Sequence, residues 1–495
     1  MTGTRESAFS RVAQWVVLVV LAAGAWSFVI VSGVLSRESD GGIFLSTTAG
    51  IRRGLPLYTG VWDNKDPLFD GAMALFASVL PVLAFVMDWF WLPVAAVGTV
   101  LIARRVVSLP TALLVGCVAT PLLLLGPAYL PGLTNTPGTA VALLCLGLLI
   151  NRWHLRAGIA MGVLLFLKII VFPVVLLCAL ALLAFPTLRR GLLRVGGGLL
   201  LGVVAGVGLM AVLGWLPGYV MMLQRNLAYS RDAIVYFGYP NSPSGHLTML
   251  GREWAATGWL AAAGLAAILV AAGVTLGVRR VRVPPDELLT VVWLVICTVG
   301  IGAALAMTYL RVHHAQVVSL VAVMAVVVLA QLVEPIRWRV LSWILILVGT
   351  FVLSGWSTPA QQLDVYRGRV ASFGATWADI DVVSKEALLL NNVPAATFTF
   401  ARLGTNDDRG FLWDTREGVI LGCPEFHVYD FSPTEEYTRI DDCLRTVDVI
   451  LKADSFDAFA SPGNIGNVPS ILDYVRINFT CIRLDDRQLC TRKGS

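Results

Sequence analysis

Long apolar segments alternate with short polar segments over the first 356 residues of the chain. Most of the apolar segments approach the length of about twenty residues that an α-helix needs to cross a bilayer. The pattern therefore predicts a polytopic α-helical membrane protein. The predicted helical segments are residues 12–35, 68–87, 89–103, 106–125, 137–150, 157–167, 169–185, 195–213, 255–278, 288–307, 315–333 and 340–356.

The composition supports the same class and excludes a soluble globule, since 57% of the 495 residues are hydrophobic and 14% are charged. The mean hydropathy is +0.76. The formal net charge of +5 is spread over short loops, so it indicates membrane orientation and not nucleic-acid binding. The first apolar run, residues 15–35, is too long for a signal peptide and lacks a small-residue cleavage site, so we expect a retained helix.

Arginines mark four turns between predicted helices, and basic loops of this kind stay in the cytoplasm. These turns contain Arg152 and Arg156; Arg189, Arg190 and Arg194; Arg279, Arg280 and Arg282; and Arg337 and Arg339. We therefore expect a cytoplasmic N-terminus at a bacterial inner membrane, with residues 36–70, 214–253, 309–314 and everything after 357 outside. An inside start and an outside end need an odd number of crossings, about eleven, so one segment between 89 and 150 should enter without crossing. Arg104 and Arg105 are compatible with either side.

Residues 357–495 differ in character from the rest, because their apolar runs shorten to strand length. The predicted strands lie in residues 397–401, 418–422, 447–453 and 478–484, with helices near 375–390, 434–446 and 467–475. This alternation predicts a small extracytoplasmic α/β domain behind a transmembrane domain of residues 1–356.

Four cysteines, Cys423, Cys443, Cys481 and Cys490, lie in this second domain. An oxidising compartment favours disulfides, and four cysteines allow three connectivities. A hairpin favours Cys481 with Cys490, which leaves Cys423 with Cys443. No CxxC or Cys/His spacing supports zinc, so we expect no metal there.

The segment 36–70 carries more ionisable side chains than any other stretch of the first half. Asp40 closely follows the first helix, so it should lie at the membrane boundary, where a carboxylate can take a proton from an acceptor hydroxyl. Glu38 is the second candidate for this role. Cations of the same segment can stabilise a departing phosphate. They are Arg52, Arg53 and Lys65. The alternative is a set of solvated charges that orient two helices.

Turn-forming and aromatic residues predict that the same segment is folded and not a tether. Gly54, Pro56 and Tyr58 form the pattern G-x-P-x-Y, and Trp62, Asp63, Lys65 and Pro67 form W-D-x-K-x-P. The pattern combines a turn, two aromatic anchors at the membrane interface and a proline that begins the next helix.

With an acidic residue just after the first helix, these two patterns resemble the GT-C fold of polyprenyl-phosphate-sugar-dependent glycosyltransferases. That group includes protein O-mannosyltransferases and bacterial lipid A aminoarabinose transferases. The resemblance implies an inverting transfer of a sugar from a lipid-linked donor to an envelope glycan, lipid or protein, with Asp40 as general base. Tyr58, Trp62 and Asp63 then become candidates for substrate binding. The resemblance covers the first ninety residues by motif and reaches residue 356 by topology alone.

Two features depart from the family pattern. Several members carry an adjacent acidic pair in the first loop, whereas Ser39 separates Glu38 from Asp40 here. Members often place a further acid in a later external loop, but GPAYLPGLTNTPG, residues 126–138, contains none. The dependence on a divalent metal is therefore left open, and no other cofactor is expected.

Lys168 interrupts an apolar run five residues before Pro173. A buried lysine is costly in a membrane, so it more often lines a cavity or pairs with an anion than faces lipid. Snorkelling at the outer end of a short helix is the alternative. The resemblance favours a role for Lys168 at the lipid phosphate.

Two further external regions contain candidate ligand-binding residues. Arg311, His313 and His314 lie in the predicted turn TYLRVHHAQ, where a guanidinium can bind phosphate in a bidentate manner. A metal site there would need a carboxylate from elsewhere, such as Asp40 or Asp63, and plain interface anchoring is the other alternative. The loop 214–253 offers Tyr236 and His246 as a lid or sugar platform, or it is a plain connector.

Other functional classes remain open at this stage. A transporter or flippase of lipid-linked saccharides would also have a buried lysine and broken helices, although no internal repeat is present. A glycan polymerase or ligase would use a diphosphate-linked donor and centre on basic loop residues. No nucleotide-binding glycine motif and no DxD motif of the soluble-glycosyltransferase kind is identified, which favours a lipid-linked donor over a sugar nucleotide.

Overall fold

Contacts group the chain into two compact units. Unit 1 is Met1–Ser36, Val86–Gly208 and Ser242–Val370, and unit 2 is Arg37–Phe85, Leu209–Asn241 and Ala371–Ser495. The sequence-based division at residue 356 stays a prediction. The computed structural model describes residues 8–35, 41–52, 54–61, 63, 65–79, 88–126, 135–181, 189–236, 242, 244–245, 248, 311–334, 336, 339–354, 399–403, 420–421, 444–453, 468–484 and 487–494.

The described part of the chain is mainly helical, and every predicted apolar segment that falls on it forms a helix. Two predicted segments, 255–278 and 288–307, lie outside the described residues. The helices that precede the C-terminal strands are α1 Ala8–Leu35, α2 Gly41–Arg52, α3 Pro67–Val79, α4 Asp88–Ala103, α5 Leu109–Leu114, α6 Thr120–Leu124, α7 Asn135–Ile150, α8 His154–Leu167, α9 Phe172–Ala181, α10 Arg189–Val212, α11 Leu216–Tyr236, α12 Arg311–Val333 and α13 Arg339–Ser354. A π-helical turn, Val115–Ala119, joins α5 to α6.

One helix among the described residues, Gly191–Val212, combines the length and the hydropathy needed to cross a bilayer, with 22 residues and a mean hydropathy of 2.2. In the other helices of this part of the chain the apolar stretches found are shorter, at 10–17 residues, such as Val12–Phe28 in α1 and Ser319–Val333 in α12. The number of crossings therefore stays a prediction.

Helices α8 and α10 of unit 1 approach each other through glycines. A Cβ at Gly162 would collide with the backbone of Gly202, and a Cβ at Gly202 would collide with that of Gly162. The other side of α10 is open, because a Cβ at Gly197 would meet nothing within 4 Å. Without a hydrophobic driving force in lipid, such close backbone contact is a main source of helix association.

The described residues of unit 2 form a five-stranded sheet in the order β2-β1-β3-β5-β4. Strand β1 is parallel to β2 and β3, whereas β5 is antiparallel to β3 and β4. The bounds are β1 Thr399–Leu403, β2 Ile420–Leu421, β3 Val449–Ala453, β4 Phe479–Leu484 and β5 Arg487–Arg492, with a helix α14 Val468–Asn478 before β4. This is the mixed α/β arrangement that the short apolar runs predicted.

The β4–β5 hairpin carries a disulfide between Cys481 and Cys490, which face each other in register. The predicted hairpin pairing is therefore confirmed. Cys423 and Cys443 lie outside the described residues, so their pairing stays a prediction.

Four segments differ from what the sequence predicted. Residues expected in the first and second external loops form α2 and α11, which were missed because neither is apolar enough to pass as a membrane helix. Arg311, His313 and His314 were expected in a turn, but they lie in the first turn of α12. The prediction was wrong because helix ends tolerate polar residues that an apolar window rejects. Strand β5 was implied by the hairpin but not identified.

Candidate functional site

The candidate site lies in the segment between α2 and α3 in unit 2, and it begins with a helix C-cap. The Gly54 N–H donates to the Ile51 carbonyl at 2.9 Å, and the Leu55 N–H donates to the Gly50 carbonyl at 3.2 Å. This bond pair is a Schellman motif, whose C′ residue must adopt a left-handed conformation. Gly54 has φ +85°, so glycine is required there because it carries no Cβ. The first residue of G-x-P-x-Y therefore ends α2.

Pro56 and Tyr58 shape the next turn. The Pro56 carbonyl accepts hydrogen bonds from the N–H groups of Gly60 (2.8 Å) and Val61 (3.1 Å). Tyr58 has φ 72°, a conformation that side chains other than glycine seldom adopt, and its N–H donates to the Val61 carbonyl. Strained backbone of this kind persists only where the surrounding structure determines it.

The Tyr58 side chain is fully buried, at 0% exposure, and its hydroxyl donates to the Lys65 carbonyl at 2.8 Å. Burial raises the pKa of the Tyr58 phenol well above 10, and the nearby carboxylates of Asp70, Asp66 and Asp63 raise it further. The phenol therefore stays protonated at physiological pH, as a hydrogen-bond donor must.

Lys65 is fixed by three contacts. Its backbone N–H donates to Oδ1 of Asp63 at 3.2 Å, and its carbonyl accepts the Tyr58 hydroxyl. Its ammonium Nζ lies 5.2 Å from the ring centroid of Phe44 on α2, within cation–π range. The W-D-x-K-x-P pattern therefore holds one half-buried cation in a defined place.

Three buried carboxylates accompany Lys65: Asp63, Asp66 and Asp70. Asp63, Lys65 and Asp66 all lie close enough to Asp70 to interact with its charge. Asp66 precedes Pro67, which begins α3 as predicted, and its carbonyl accepts the Phe69 N–H at 3.0 Å. One half-buried lysine therefore lies among three buried acidic side chains.

Helix α11 packs against this turn. The ring centroids of Tyr58 and Tyr219 are 6.0 Å apart, and a Cβ at Gly218 would collide with the Tyr58 side chain at 2.7 Å. Burial and the charge of Asp66 raise the pKa of Tyr219 as well. Trp215 of the segment before α11 lies against Gly71 on α3. The strained turn is thereby covered by aromatic rings.

Lys168 lies in unit 1, where α8 ends at Leu167 and α9 begins at Phe172, so the predicted helix break is confirmed. The side chain is 6% exposed, and its methylene groups lie against Gly138 in the first turn of α7. Burial to this degree argues against snorkelling. Buried polar residues occur in the same turn of α7 and on α12: Asn135, Thr136, Thr139 and Ser319. The hydroxyls of Thr139 and Ser319 are 3.1 Å apart.

The structure brings Tyr58, Asp63 and Lys65 together, and it leaves Arg52 exposed at the end of α2. The backbones of Tyr236, Arg311, His313 and His314 are helical, and their roles stay predictions. The remaining candidates lie outside the described residues. They are Glu38, Asp40, Arg53, Trp62 and His246.

Sequence reasoning missed Asp66, Asp70 and Tyr219. The spacing of Asp63, Asp66 and Asp70, at three and four residues, could have placed them on one side of the turn that begins α3. Tyr219 carried no such signal, because α11 was taken for a loop. Among the described residues, no three His, Cys, Asp or Glu side chains come together in a way that could hold a metal ion.

Comparisons with known proteins identify the fold. No family model matches the chain, and no curated protein matches it. Two solved structures match over nearly the whole length, those of ArnT from Cupriavidus metallidurans bound to undecaprenyl phosphate and in the apo state. Each alignment covers 97% of this chain and 98% of that chain, with a TM-score of 0.56 and identities of 12% and 14%, respectively. At this identity the likeness shows a shared fold.

Proposed function

We propose that the chain is an integral membrane glycosyltransferase that moves a sugar from a polyprenyl-phosphate donor to an envelope glycan, lipid or protein. The shared fold supports this proposal, because the protein with that fold was crystallised with undecaprenyl phosphate. Topology follows the basic loops, with the reaction on the outer face of a bacterial plasma membrane.

One observation carries the proposal. The residues that the two sequence patterns singled out build a single folded turn: Gly54 ends α2, Tyr58 bonds to Lys65, Asp63 orients Lys65, and Pro67 begins α3. A plain connector would not need a buried tyrosine in a left-handed conformation, since strain of this kind concentrates at functional sites. The turn directly follows α2, and Asp40 is the residue before α2 begins.

The proposed reaction is an inverting displacement at the anomeric carbon of the donor. The acceptor hydroxyl gives its proton to the Asp40 carboxylate while its oxygen bonds to that carbon, and the bond to the phosphate oxygen breaks. The leaving group is the polyprenyl phosphate, which keeps the bonding electrons. Cations stabilise its growing charge. We assign this role to Lys65 and Lys168, with Arg52, Arg53, Arg311, His313 and His314 as further candidates.

A transfer assay tests the proposal. Purified full-length protein in proteoliposomes would be given radiolabelled undecaprenyl-phosphate sugars of several types, together with envelope lipid and glycan acceptors. Labelled acceptor is the expected product. Movement of label across the bilayer without a glycosylated product would favour a flippase, for which a buried Lys168 at a helix break is equally expected.

A further inference from the structure

Five arginines meet at one end of the unit 1 helices. Two follow α4, one lies in the turn between α7 and α8, one lies in the first turn of α8, and one lies in the first turns of α10. We call this set the arginine cluster: Arg104, Arg105, Arg152, Arg156 and Arg194. All five side chains are exposed. The sequence alone did not assign Arg104 and Arg105 to either side of the membrane. Their contacts with residues 151–156 place them beside the turn that is predicted to be cytoplasmic.

A buried asparagine organises two of these arginines. Oδ1 of Asn151 accepts hydrogen bonds from Nε and Nη2 of Arg104, at 3.2 and 2.7 Å, and from Nε of Arg105, at 3.1 Å. Nδ2 of Asn151 donates to the carbonyls of Leu101 and Gly147, both at 2.7 Å. The amide is therefore fixed by two helices, and it holds two like-charged guanidinium groups close together.

Trp153 organises a third arginine. Its ring centroid lies 5.8 Å from Cζ of Arg104 and 5.4 Å from Cζ of Arg156, both within cation–π range. A guanidinium that stacks on an aromatic ring keeps its N–H edge free for an anion. Trp153 is 42% exposed, as interfacial tryptophans commonly are.

The start of α10 completes the cluster. The buried imidazole of His154 lies against Gly191, where any Cβ would collide with the ring. The charges of Arg194 and Arg152 both act on His154. The four helices are thus joined at this end by Asn151, Trp153 and His154, and the guanidinium groups surround that junction.

The cluster has no acidic counterpart among the described residues. None of the five arginines forms an ion pair with a described carboxylate. Glu334 lies at the same end of the helices. Its Oε1 accepts a hydrogen bond of 3.1 Å from the N–H of Ser108, the residue before α5, and not from an arginine of the cluster. Several positive charges held together, with no ion-paired carboxylate in the described part of the chain, make a site for an external anion.

An apolar surface continues from the cluster along α8 and α10. Leu193 is 81% exposed, and Leu155 and Ile159 are also exposed. The acyl chains of a lipid can lie on this surface while its headgroup binds the arginines. A free phosphate ion has no acyl chains and would gain nothing from the apolar surface. Basic pockets between transmembrane helices on the cytoplasmic side bind anionic lipid headgroups in this way.

We propose that the arginine cluster binds the phosphodiester headgroup of an anionic phospholipid in the inner leaflet. The positive-inside rule alone predicts dispersed charge in mobile loops, whereas here Asn151 and Trp153 hold three guanidinium groups in place. This proposal does not depend on the transferase function.

Native mass spectrometry of the purified full-length protein tests this proposal, with tetraoleoyl cardiolipin, dioleoyl phosphatidylglycerol and dioleoyl phosphatidylethanolamine as probes. The wild type should retain the two anionic lipids in preference to the zwitterionic one. The double variant Arg104→Gln/Arg156→Gln should bind them roughly tenfold more weakly. The matched control Arg337→Gln/Arg339→Gln removes the same charge on the same predicted side and should bind as the wild type does.

Equal losses in both double variants, or no loss in either, would overturn the proposal. Displacement of the lipid by inorganic phosphate at a similar concentration would also overturn it, because the anion alone would then suffice. Trp153→Ala keeps every charge and should still weaken binding; wild-type affinity in this variant would argue against an organised site. If the double variant does not fold, Arg156→Gln replaces it, since its guanidinium makes no described contact besides Trp153.

Discussion

The Tyr58 hydroxyl donates a hydrogen bond to the Lys65 carbonyl, and this bond closes the turn between α2 and α3. It links the strained residue of the first pattern to the cation of the second. The Tyr58 ring is fully buried and the bond is partly buried, so it fixes the backbone from which the Lys65 side chain extends.

Tyr58→Phe should reduce both stability and turnover. The ring is retained, but the Lys65 carbonyl loses its partner, which costs about 1 kcal/mol of the free energy of unfolding. Displacement of the lysine should lower kcat about tenfold if it acts on the donor phosphate. Thermal unfolding and the transfer assay measure the two effects. Thr59→Ala, at the exposed neighbouring residue, is the control and should change neither.

The raised pKa of Tyr58 predicts a loss of stability at alkaline pH. The unfolded chain releases the phenolic proton near pH 10, whereas the folded protein retains it, so folding is favoured fully below that pH and less as the pH rises above it. The melting temperature of the wild type should therefore fall more steeply between about pH 9 and about pH 11 than that of Tyr58→Phe. Identical slopes would show that the tyrosine ionises freely in the folded state.

The glycines of α10 predict a position-dependent effect of alanine. Gly202→Ala should destabilise the protein by about 2 kcal/mol, because the new methyl group forces α8 and α10 apart. Gly197→Ala on the open side of the same helix should be neutral or slightly stabilising, since alanine is the better helix former. Melting temperatures that fall equally in both variants would contradict the proposed packing.

Apolar periodicity predicted the helices and short strands because burial in lipid or in a sheet core leaves a direct mark on the sequence. The same criterion missed α2 and α11, whose mixed composition resembles a loop and whose helical state depends on tertiary contacts. Sequence patterns identified the two loop motifs of the candidate site, because glycine, proline and tyrosine have specific roles in turns. The burial of Asp66 and Asp70 was not foreseen, since an acidic residue near a loop is usually solvated.

Lys168→Met should weaken binding of undecaprenyl phosphate about tenfold or more, because the variant keeps the methylene packing on Gly138 and removes only the charge. Binding of the labelled lipid to purified protein checks this. Lys493→Met is the control: that ammonium is exposed and donates to the Ile477 carbonyl at 2.8 Å, at the end of the C-terminal hairpin. Unchanged lipid binding together with a raised melting temperature in Lys168→Met would show that the buried lysine only destabilises the fold and does not bind the lipid.

The most direct test of the transferase proposal compares turnover and donor binding in Asp40→Asn. Asparagine caps a helix about as well as aspartate, so any contribution of residue 40 to the start of α2 is preserved and only the basic carboxylate is lost. With the preferred donor, the variant should bind undecaprenyl-phosphate sugar normally, and its kcat should fall at least about a hundredfold. Glu38→Gln should retain most activity. Full turnover in Asp40→Asn would remove this carboxylate from the reaction and contradict the mechanism proposed for the chain.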